Sequence, residues 1–360
     1  MASVIDKGVE HVQNVRIAVV GTGANGASMG ADMVRAGLDV TFIEQWPAHV
    51  EAMRERGLTV HLPDGTSENT SVAVLHFCQV AEIRGTFDIV FISVKTYDTR
   101  WVTELVKPLL HDSSVVVGLQ NGMTIDDVAD IVGPHRTIGA VLGIAANMFN
   151  PGVVIRQVSR AGTWLTVGTL DGASTPMLEN VVEALGHAGR ISISRDIRSS
   201  KWMKLLANIP EMLPSALMNV PLLTAANTEG MRPVMDAMSR EAYRTAIDLG
   251  ITMVPVLGKT AADVPDSDQY AIDLLDTILE SYSLPDTRVA VLQDWDKGRR
   301  AELDAFSGYV VSKQRELGTT APVNEAILRL SERVERGELA PSPDNAALMI
   351  EALTASSRPG

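Results

Sequence analysis

The feature that most constrains the fold is a glycine-rich turn near the N-terminus. Residues 15–20 form an apolar, β-branched run. Gly21, Gly23 and Gly26 follow it in G-x-G-x-x-G spacing, and a helix-forming segment continues through Met33. In such a setting the first glycine permits a tight turn, the second lets the backbone approach a pyrophosphate, and the third lets the helix pack close to the strand. The sequence therefore predicts a strand, a phosphate loop and a helix here.

This loop predicts that the chain binds a dinucleotide cofactor at the N-terminus of the following helix. The loop residues expected to bind it are Gly21, Thr22, Gly23, Ala24, Asn25 and Gly26. Glu44 ends the second apolar run, where it can accept hydrogen bonds from the adenosine ribose and would repel a ribose phosphate, so NAD(H) is preferred. Arg54 and Arg56 keep NADP(H) possible. The alternatives are a glycine turn without a ligand and, for Glu44, a solvated carboxylate.

Short β-branched runs alternate with helix-forming segments as far as Asp196. The predicted strands are residues 15–20, 39–44, 88–95, 114–120 and 137–142, with two more at 153–158 and 164–169. This alternation is typical of a parallel sheet covered by helices, so an α/β fold with a Rossmann-type doubly wound sheet is predicted. We expect the last two strands to form an antiparallel extension.

After Asp196 the apolar residues recur at helical spacing, which predicts an all-α second half. The predicted helices are residues 199–218, 231–249, 269–280, 299–316 and 322–336, with a connecting loop at 255–267 and one short helix beyond 339. The predicted domains are an N-terminal tail at 1–14, a dinucleotide-binding domain at 15–196, a helical substrate and dimerisation domain at 197–338, and a C-terminal extension at 339–360.

Composition excludes several classes of function. The formal net charge of −13, without any run of basic residues, would repel nucleic acid. Cys78 is the single cysteine and the histidines show no ligand spacing, so neither a disulfide nor a metal site is predicted. The sequence shows no secretion signal and no apolar run of membrane-spanning length, so no membrane association and a cytoplasmic location are expected. The expected partner is a small-molecule substrate.

Four further segments, taken with the glycine loop, resemble the signature segments of ketopantoate reductases in order and spacing. They are Ser93-Val94-Lys95, Gln120-Asn121-Gly122-Met123, residues 201–208 and residues 299–304. The resemblance runs from Val15 to about Glu325. It implies a divergent, 2-dehydropantoate 2-reductase-like dehydrogenase that uses NAD(P) and acts on CH–OH groups. It also implies a homodimer formed through the C-terminal helices.

The resemblance points to Lys204 as the general acid that protonates the carbonyl oxygen as hydride arrives. An ammonium group beside a developing alkoxide stabilises its charge and supplies the proton. Asn208 lies four residues on, so it shares a helical face with Lys204 and can contact the same substrate. Glu302 would pair with the lysine or orient substrate hydroxyls. From the residues alone, Lys204 could be a surface lysine and Glu302 an exposed helical carboxylate.

Two strand ends supply further candidates. Asn121 follows a buried strand and opens the turn that contains Gly122, which is expected to bring its amide to nicotinamide, ribose or substrate. Lys95 ends another strand and, by resemblance, faces the cofactor or the substrate. A simple strand-end lysine is the alternative for Lys95.

The sequence departs from the family at positions expected to bind substrate. Met212 stands where ketopantoate reductases commonly have a second asparagine, and Ala290 and Val291 replace a hydroxyl-bearing serine. A substrate that is less polar at these points, or bound differently, is therefore expected. Pro210 and Pro214 should kink or locally unwind the helix beside the site.

Three functions follow from the sequence. The leading one is hydride transfer between a nicotinamide cofactor and a 2-oxo acid or related ketone, in either direction. The second is dehydrogenation of a bulky or aromatic secondary alcohol, which Met212 and Ala290 favour. The third is a dinucleotide-binding sensor without turnover, against which the retention of Lys204, Asn208 and Glu302 argues.

Overall fold

The computed structural model describes residues 15–265 and 267–356. The predicted N-terminal tail at 1–14, and the last four residues of the predicted C-terminal extension, lie outside the described residues. Two compact units make up the chain: one ends at Arg198 and the other begins at Ser199. No helix in the described ranges is long and apolar enough to cross a membrane.

The first unit is built on two β-sheets. Its strands are β1 Arg16–Val20, β2 Asp39–Glu44, β3 Leu58–His61, β4 Ser67–Thr70, β5 Ala73–His76, β6 Phe87–Ile92, β7 Leu110–Gly118, β8 Thr137–Gly143, β9 Ala146–Asn147, β10 Val153–Arg156, β11 Trp164–Thr169 and β12 Arg190–Ile193. Its helices are α1 Ala24–Arg35, α2 Pro47–Arg56, α3 Thr99–Val106, α4 Ile125–Val132 and α5 Pro176–Gly186.

The larger sheet has eight strands in the order β12-β11-β8-β7-β6-β1-β2-β5. The six strands from β5 to β8 are parallel, and β1 lies between β2 and β6. Ile17 of β1 and Ile89 and Phe91 of β6 are fully buried, as expected for strands covered by helices on both faces. The strand order reverses direction at β1, which is where ligands of doubly wound folds bind, and the phosphate loop follows β1 directly.

The predicted antiparallel extension is right for one strand and wrong for the other. The strand β11 pairs antiparallel with β8 and extends the main sheet. The strand β10 instead belongs to a second, four-stranded sheet in the order β4-β3-β10-β9. The neighbours of β10 are strands of two to four residues, too short to give a clear alternation, so sequence periodicity did not reveal this sheet.

A buried ion network joins α1 to the second sheet. The guanidinium of Arg156 on β10 is fully buried and donates to the Asp32 carboxylate of α1 at 2.6 Å. Its second terminal nitrogen, Nη2, donates to Thr163 Oγ1 and to the carbonyl of Ala188. Arg160 also pairs with Asp32, at 2.8 Å from its Nε. Removing the fully buried partner of such a network leaves the remaining buried charge with less compensation, which lowers stability.

Arg156→Met is expected to lower the free energy of unfolding by about 3 kcal/mol, because Asp32 would lose its buried partner. Urea denaturation followed by circular dichroism measures this. Arg100→Ala is the matched control, since Arg100 is exposed and pairs with the exposed carboxylates of Asp127 and Asp130. Equal denaturation midpoints for Arg156→Met and Arg100→Ala would contradict a structural role for the network.

The second unit is helical. Its first helix begins at Ile197, just before the unit itself begins at Ser199. The helices are α6 Ile197–Met218, α7 Leu222–Asn227, α8 Met231–Asp248, α9 Gln269–Thr277, α10 Ala290–Asp296, α11 Ser307–Glu316, α12 Pro322–Glu335 and α13 Asn345–Ser356. This confirms the predicted fold class of a doubly wound sheet followed by a helical region.

Two details of the helical region differ from expectation. The helix α6 continues through Pro210 and Pro214 without unwinding, so each proline removes only one backbone donor from it. The predicted helix at 299–316 is shorter, because α11 begins at Ser307 and only a 3₁₀ turn at Leu303–Ala305 precedes it. Phe306 has φ −113° and ψ −111°, a conformation that interrupts helical hydrogen bonding between the two. Glu302 therefore does not lie on a helix.

Candidate active site

The three glycines of the phosphate loop are required for different reasons. Gly21 has φ +83°, and a Cβ there would lie 2.5 Å from Val94 Cγ1. A Cβ on Gly26 would lie 2.4 Å from the carbonyl oxygen of Gly21, so this glycine sets the close approach of α1 to the loop. A Cβ on Gly23 would meet nothing within 4 Å. Packing therefore requires Gly21 and Gly26, whereas the space beside Gly23 is open to a ligand.

The same loop suits an anionic cofactor. Gly23 is the N-cap of α1 and provides no side-chain cap, and the first turn carries no acidic residue. The free amides and the helix dipole at this end favour a phosphate. Asn25 Oδ1 is buried and has no hydrogen-bond partner within the described ranges. The amides and the helix dipole fit the pyrophosphate of a dinucleotide, whereas the Asn25 oxygen, an acceptor, would need a donor group elsewhere on the cofactor.

Thr22 is fixed by two side chains that the strand β2 and the helix α2 supply. Glu44 Oε2 accepts hydrogen bonds from the Thr22 amide at 2.6 Å and from its hydroxyl at 2.9 Å. His49 Nε2 lies 2.9 Å from the Thr22 carbonyl, and His49 Nδ1 accepts a hydrogen bond from the Gly152 amide at 2.8 Å. With Nδ1 as acceptor, the imidazole is neutral and Nε2 is the donor. Sequence reasoning did not identify His49.

Glu44 thus accepts more hydrogen bonds within the protein than the sequence indicates. Its side chain is buried, and its second oxygen accepts a hydrogen bond from the Trp46 amide at 2.8 Å. A carboxylate can accept about four hydrogen bonds, and Glu44 accepts three within the protein, so one position is left for a ribose hydroxyl. The interaction with a ribose stays a prediction. Arg54 donates to the Val74 carbonyl, and Arg56 pairs with its neighbour Glu55 at 2.7 Å.

Loss of His49 is expected to loosen the phosphate loop. His49→Ala should lower the free energy of unfolding by about 1–3 kcal/mol, because the Thr22 carbonyl and the Gly152 amide would be buried without partners. Burial lowers the pKa of His49 below its ordinary value. The unfolded chain therefore takes up the proton first, and wild-type stability should fall as pH drops below about 6.5.

Chemical denaturation of the wild type and His49→Ala between neutral and mildly acid pH checks this. The variant should lose part of the acid-side slope, since it no longer contains the buried imidazole. An unchanged slope in His49→Ala would show that another group causes the acid sensitivity.

Two other predicted residues lie at the carboxyl ends of neighbouring parallel strands. Lys95 follows β6 and is half-buried, and Asn121 follows β7 and is also half-buried. Gln120 ties these two loops together, because its Nε2 donates to the Val94 carbonyl at 2.8 Å and to Thr99 Oγ1 at 2.9 Å. The sequence singled out Asn121 but not the structural role of Gln120.

The helix α6 brings Lys204 and Asn208 to one face in the second unit, as the four-residue spacing predicts. Lys204 is half-buried, and desolvation lowers the pKa of its ammonium group. Asn208 is 1% exposed, and neither its Oδ1 nor its Nδ2 has a hydrogen-bond partner within the described ranges. An amide buried without partners costs stability, so it is suited to a ligand that supplies them.

Glu211 also lies on this face and was missed by the sequence analysis. It is 6% exposed, and burial raises the pKa of its carboxyl to about 7. The charge of Lys204 acts in the opposite direction on the pKa of Glu211. Its position three residues after Asn208 was the signal that could have identified it.

The remaining predicted residues lie elsewhere in the second unit. Glu302 is half-buried and immediately precedes the 3₁₀ turn before α11. Met212 is buried one helical turn beyond Asn208, and Ala290 is the half-buried first residue of α10. Within residues 15–265 and 267–356, no group of three His, Cys, Asp or Glu side chains could hold a metal ion.

Comparison with known proteins identifies the family. The profile of ketopantoate reductase PanE/ApbA matches residues 17–172, and that of its C-terminal region matches residues 196–335. The chain is 27% identical to the 2-dehydropantoate 2-reductase of Mesorhizobium japonicum over 347 residues, which cover 90% of this chain and 99% of the relative.

Solved structures show the same architecture. A PanE/ApbA family ketopantoate reductase from Ralstonia eutropha has a TM-score of 0.76 and 26% identity, with 90% of this chain and 99% of that one covered. D-Mandelate dehydrogenase, solved with NADH and anilino(oxo)acetate, has a TM-score of 0.79 at 18% identity, over 90% and 99% of the two chains. The chain therefore belongs to the ketopantoate reductase PanE/ApbA family of oxidoreductases.

Proposed function

We propose that the protein transfers hydride between a nicotinamide dinucleotide and a 2-oxo acid or related ketone, with Lys204 as the general acid or base. The observation that carries this proposal is that half-buried Lys204 and buried Asn208 share one face of α6, and that the Asn208 amide has no hydrogen-bond partner among the described residues. Family membership supplies the class of reaction.

The phosphate loop is the part of the chain that would hold the cofactor. When bound, a nicotinamide dinucleotide supplies or accepts the hydride. The amides that begin α1 and the open space at Gly23 suit its pyrophosphate, and Asn25, Lys95 and Asn121 are further proposed contacts. Glu44 favours NAD(H) over NADP(H), since its buried charge would repel a ribose phosphate.

Lys204 would act on the oxygen of the substrate. In reduction, a carbonyl oxygen gains negative charge, and the ammonium group of Lys204 stabilises it and transfers one proton to it. In oxidation the neutral amine takes the proton back. Desolvation lowers the pKa of Lys204 and so eases proton release near neutral pH, while the Glu211 carboxylate raises that pKa and limits the effect.

Asn208 would orient the substrate, since its amide can donate one hydrogen bond and accept another. Glu302 is proposed to pair with the lysine or to orient a substrate hydroxyl. Met212 and Ala290 are proposed to line the part of the site where the family commonly has polar groups. We also propose the homodimer that the resemblance implies, which analytical ultracentrifugation would check.

A second candidate is the dehydrogenation of a bulky or aromatic secondary alcohol. Met212 is buried and apolar at a position where a polar residue is common in the family. The fold is also shared with D-mandelate dehydrogenase, whose structure contains NADH and anilino(oxo)acetate. This reaction would use the same residues in the oxidative direction.

Calorimetric titration with NADH and NADPH, followed by assays in both directions, tests the proposal. The substrates are ketopantoate, other 2-oxo acids, bulky ketones and aromatic secondary alcohols. Tighter NADH binding and turnover of a 2-oxo acid are expected. Turnover of the alcohols alone would favour the second candidate, and tight cofactor binding without any turnover would point to a sensor.

A further inference from the structure

The helix α6 carries a polar stripe on an otherwise apolar, buried surface. Apart from Arg198 and Lys204, which are half-buried, each of its residues is buried. Its polar residues between Ser200 and Ser215 recur at spacings of one, three or four residues: Ser200, Lys201, Lys204, Asn208, Glu211 and Ser215. At 3.6 residues per turn these six lie within about 100° of the helix circumference. A buried polar stripe needs polar partners along its length.

Three residues of the stripe differ in how these needs are met. The hydroxyl of Ser215 donates to the Val220 carbonyl at 2.7 Å, so its donor is satisfied by the chain just beyond the end of the helix. The Asn208 amide has no partner within the described ranges. The Glu211 residue is 6% exposed, the charge of Lys204 acts on its carboxylate, and no hydrogen bond to that carboxylate is found among the described residues.

We propose that Glu211 is a specificity residue that accepts a hydrogen bond from a hydroxyl or a cationic nitrogen on the substrate, beyond the carbonyl group that Lys204 protonates. The inference rests on the proposed function, because it takes Lys204 as the residue of the stripe at which the substrate carbonyl binds. It adds a residue that the sequence resemblance does not assign, one position before Met212.

The spacing along α6 suits a small elongated substrate. Lys204 and Glu211 are seven residues apart, which is about 10 Å along the helix axis, and Asn208 lies between them. Lys204 and Glu211 both have long side chains that can bend towards a molecule lying on the stripe. A 2-oxo acid with its carbonyl at Lys204 would extend past Asn208 towards Glu211.

A purely structural role for Glu211 is a poor explanation of its position. A carboxylate buried without a donor costs stability, and an apolar residue of similar size would relieve that cost. Residues that lower stability in this way are typical of binding sites, where a ligand supplies the missing partner. A donor group on the substrate would supply it for Glu211.

Matched pairs of 2-oxo acids test the proposal with the full-length protein. Ketopantoate and 3,3-dimethyl-2-oxobutanoate differ only in the hydroxyl, and 5-guanidino-2-oxopentanoate and 2-oxohexanoate differ in the cationic end. The wild type is expected to prefer the donor-bearing member of at least one pair by about tenfold or more in kcat/KM.

Glu211→Leu should reduce that preference by about tenfold or more, mainly through KM, and should not lower Tm. Glu211→Gln separates the two donors, because it keeps a neutral acceptor: a preference for hydroxyl should survive in part, and one for guanidinium should be lost. Glu316→Gln, at an exposed helical glutamate, is the control.

An unchanged preference in Glu211→Leu, or no preference in the wild type, would overturn the role of Glu211 while leaving the proposed function intact. Failure of the proposed function has a different signature. In that case neither the wild type nor Glu211→Leu would turn over any 2-oxo acid, and the role of Glu211 would be rejected with it.

Discussion

Lys204→Ala is expected to lower kcat for reduction of the preferred 2-oxo acid by about two to four orders of magnitude, with cofactor affinity nearly unchanged. The large effect is expected because the ammonium group both stabilises the developing alkoxide and supplies its proton. Cofactor affinity is spared because the residues proposed to bind the dinucleotide belong to the other compact unit, which ends at Arg198. Steady-state kinetics and calorimetric titration with NADH measure the two quantities separately.

Two further variants sharpen the test at Lys204. Lys204→Arg keeps a positive charge but does not release a proton near neutral pH, so reduction should stay strongly impaired. Lys313→Ala removes a lysine whose ion pair with Glu316 lies on α11, and it should leave kcat unchanged. A fully active Lys204→Ala would remove Lys204 from the mechanism.

The pH profile of reduction should also show that Lys204 acts as the general acid. Desolvation lowers the pKa of Lys204, and a general acid must be protonated to act. Reduction by the wild type should therefore decline as pH rises through that lowered pKa, well before an ordinary lysine would deprotonate. Lys204→Arg should not show this decline.

Gly23→Ala is expected to weaken cofactor binding by about tenfold to a hundredfold without lowering Tm. Its Cβ would meet no protein atom within 4 Å, so the substitution causes no steric clash that would destabilise the fold. The same methyl group would occupy the space through which the backbone approaches a pyrophosphate. Calorimetric titration with NADH and a thermal melt of the same sample measure both effects.

Neighbouring glycines provide the controls for this prediction. Gly26→Ala should lower Tm as well, since its Cβ would lie 2.4 Å from the Gly21 carbonyl oxygen. Gly186→Ala, at the end of α5, also meets nothing within 4 Å and should change neither quantity. Cofactor affinity that is equal in the wild type and Gly23→Ala would place the dinucleotide elsewhere.

The sequence predicted the parts of the fold that have strong local patterns. The parallel strands are continuous apolar runs, and the phosphate loop has a spacing that few other structures require, so β1, β2 and α1 were found where they lie. The second sheet was not predicted because its strands are short. In addition, an arginine such as Arg156 is expected at the surface from sequence alone, whereas here it is fully buried and paired with Asp32. Long-range pairing of charges has no local signature.

The same distinction holds for the candidate site. Lys204 and Asn208 were found because a helix brings residues four apart to one face. Glu302 was expected on a helix, yet the backbone at Phe306 interrupts helical bonding. His49 and Glu211 were not predicted, since the importance of each depends on burial and on partners distant in sequence or absent.

The measurement that tests the central proposal most directly is isotope transfer from the cofactor to the product. The wild-type protein is incubated with a 2-oxo acid that it turns over and with NADH deuterated at the transferable position, and the hydroxy acid is analysed by mass spectrometry. Hydride transfer predicts one deuterium at the carbinol carbon of the product. Bound cofactor with no deuterium in any product would contradict it.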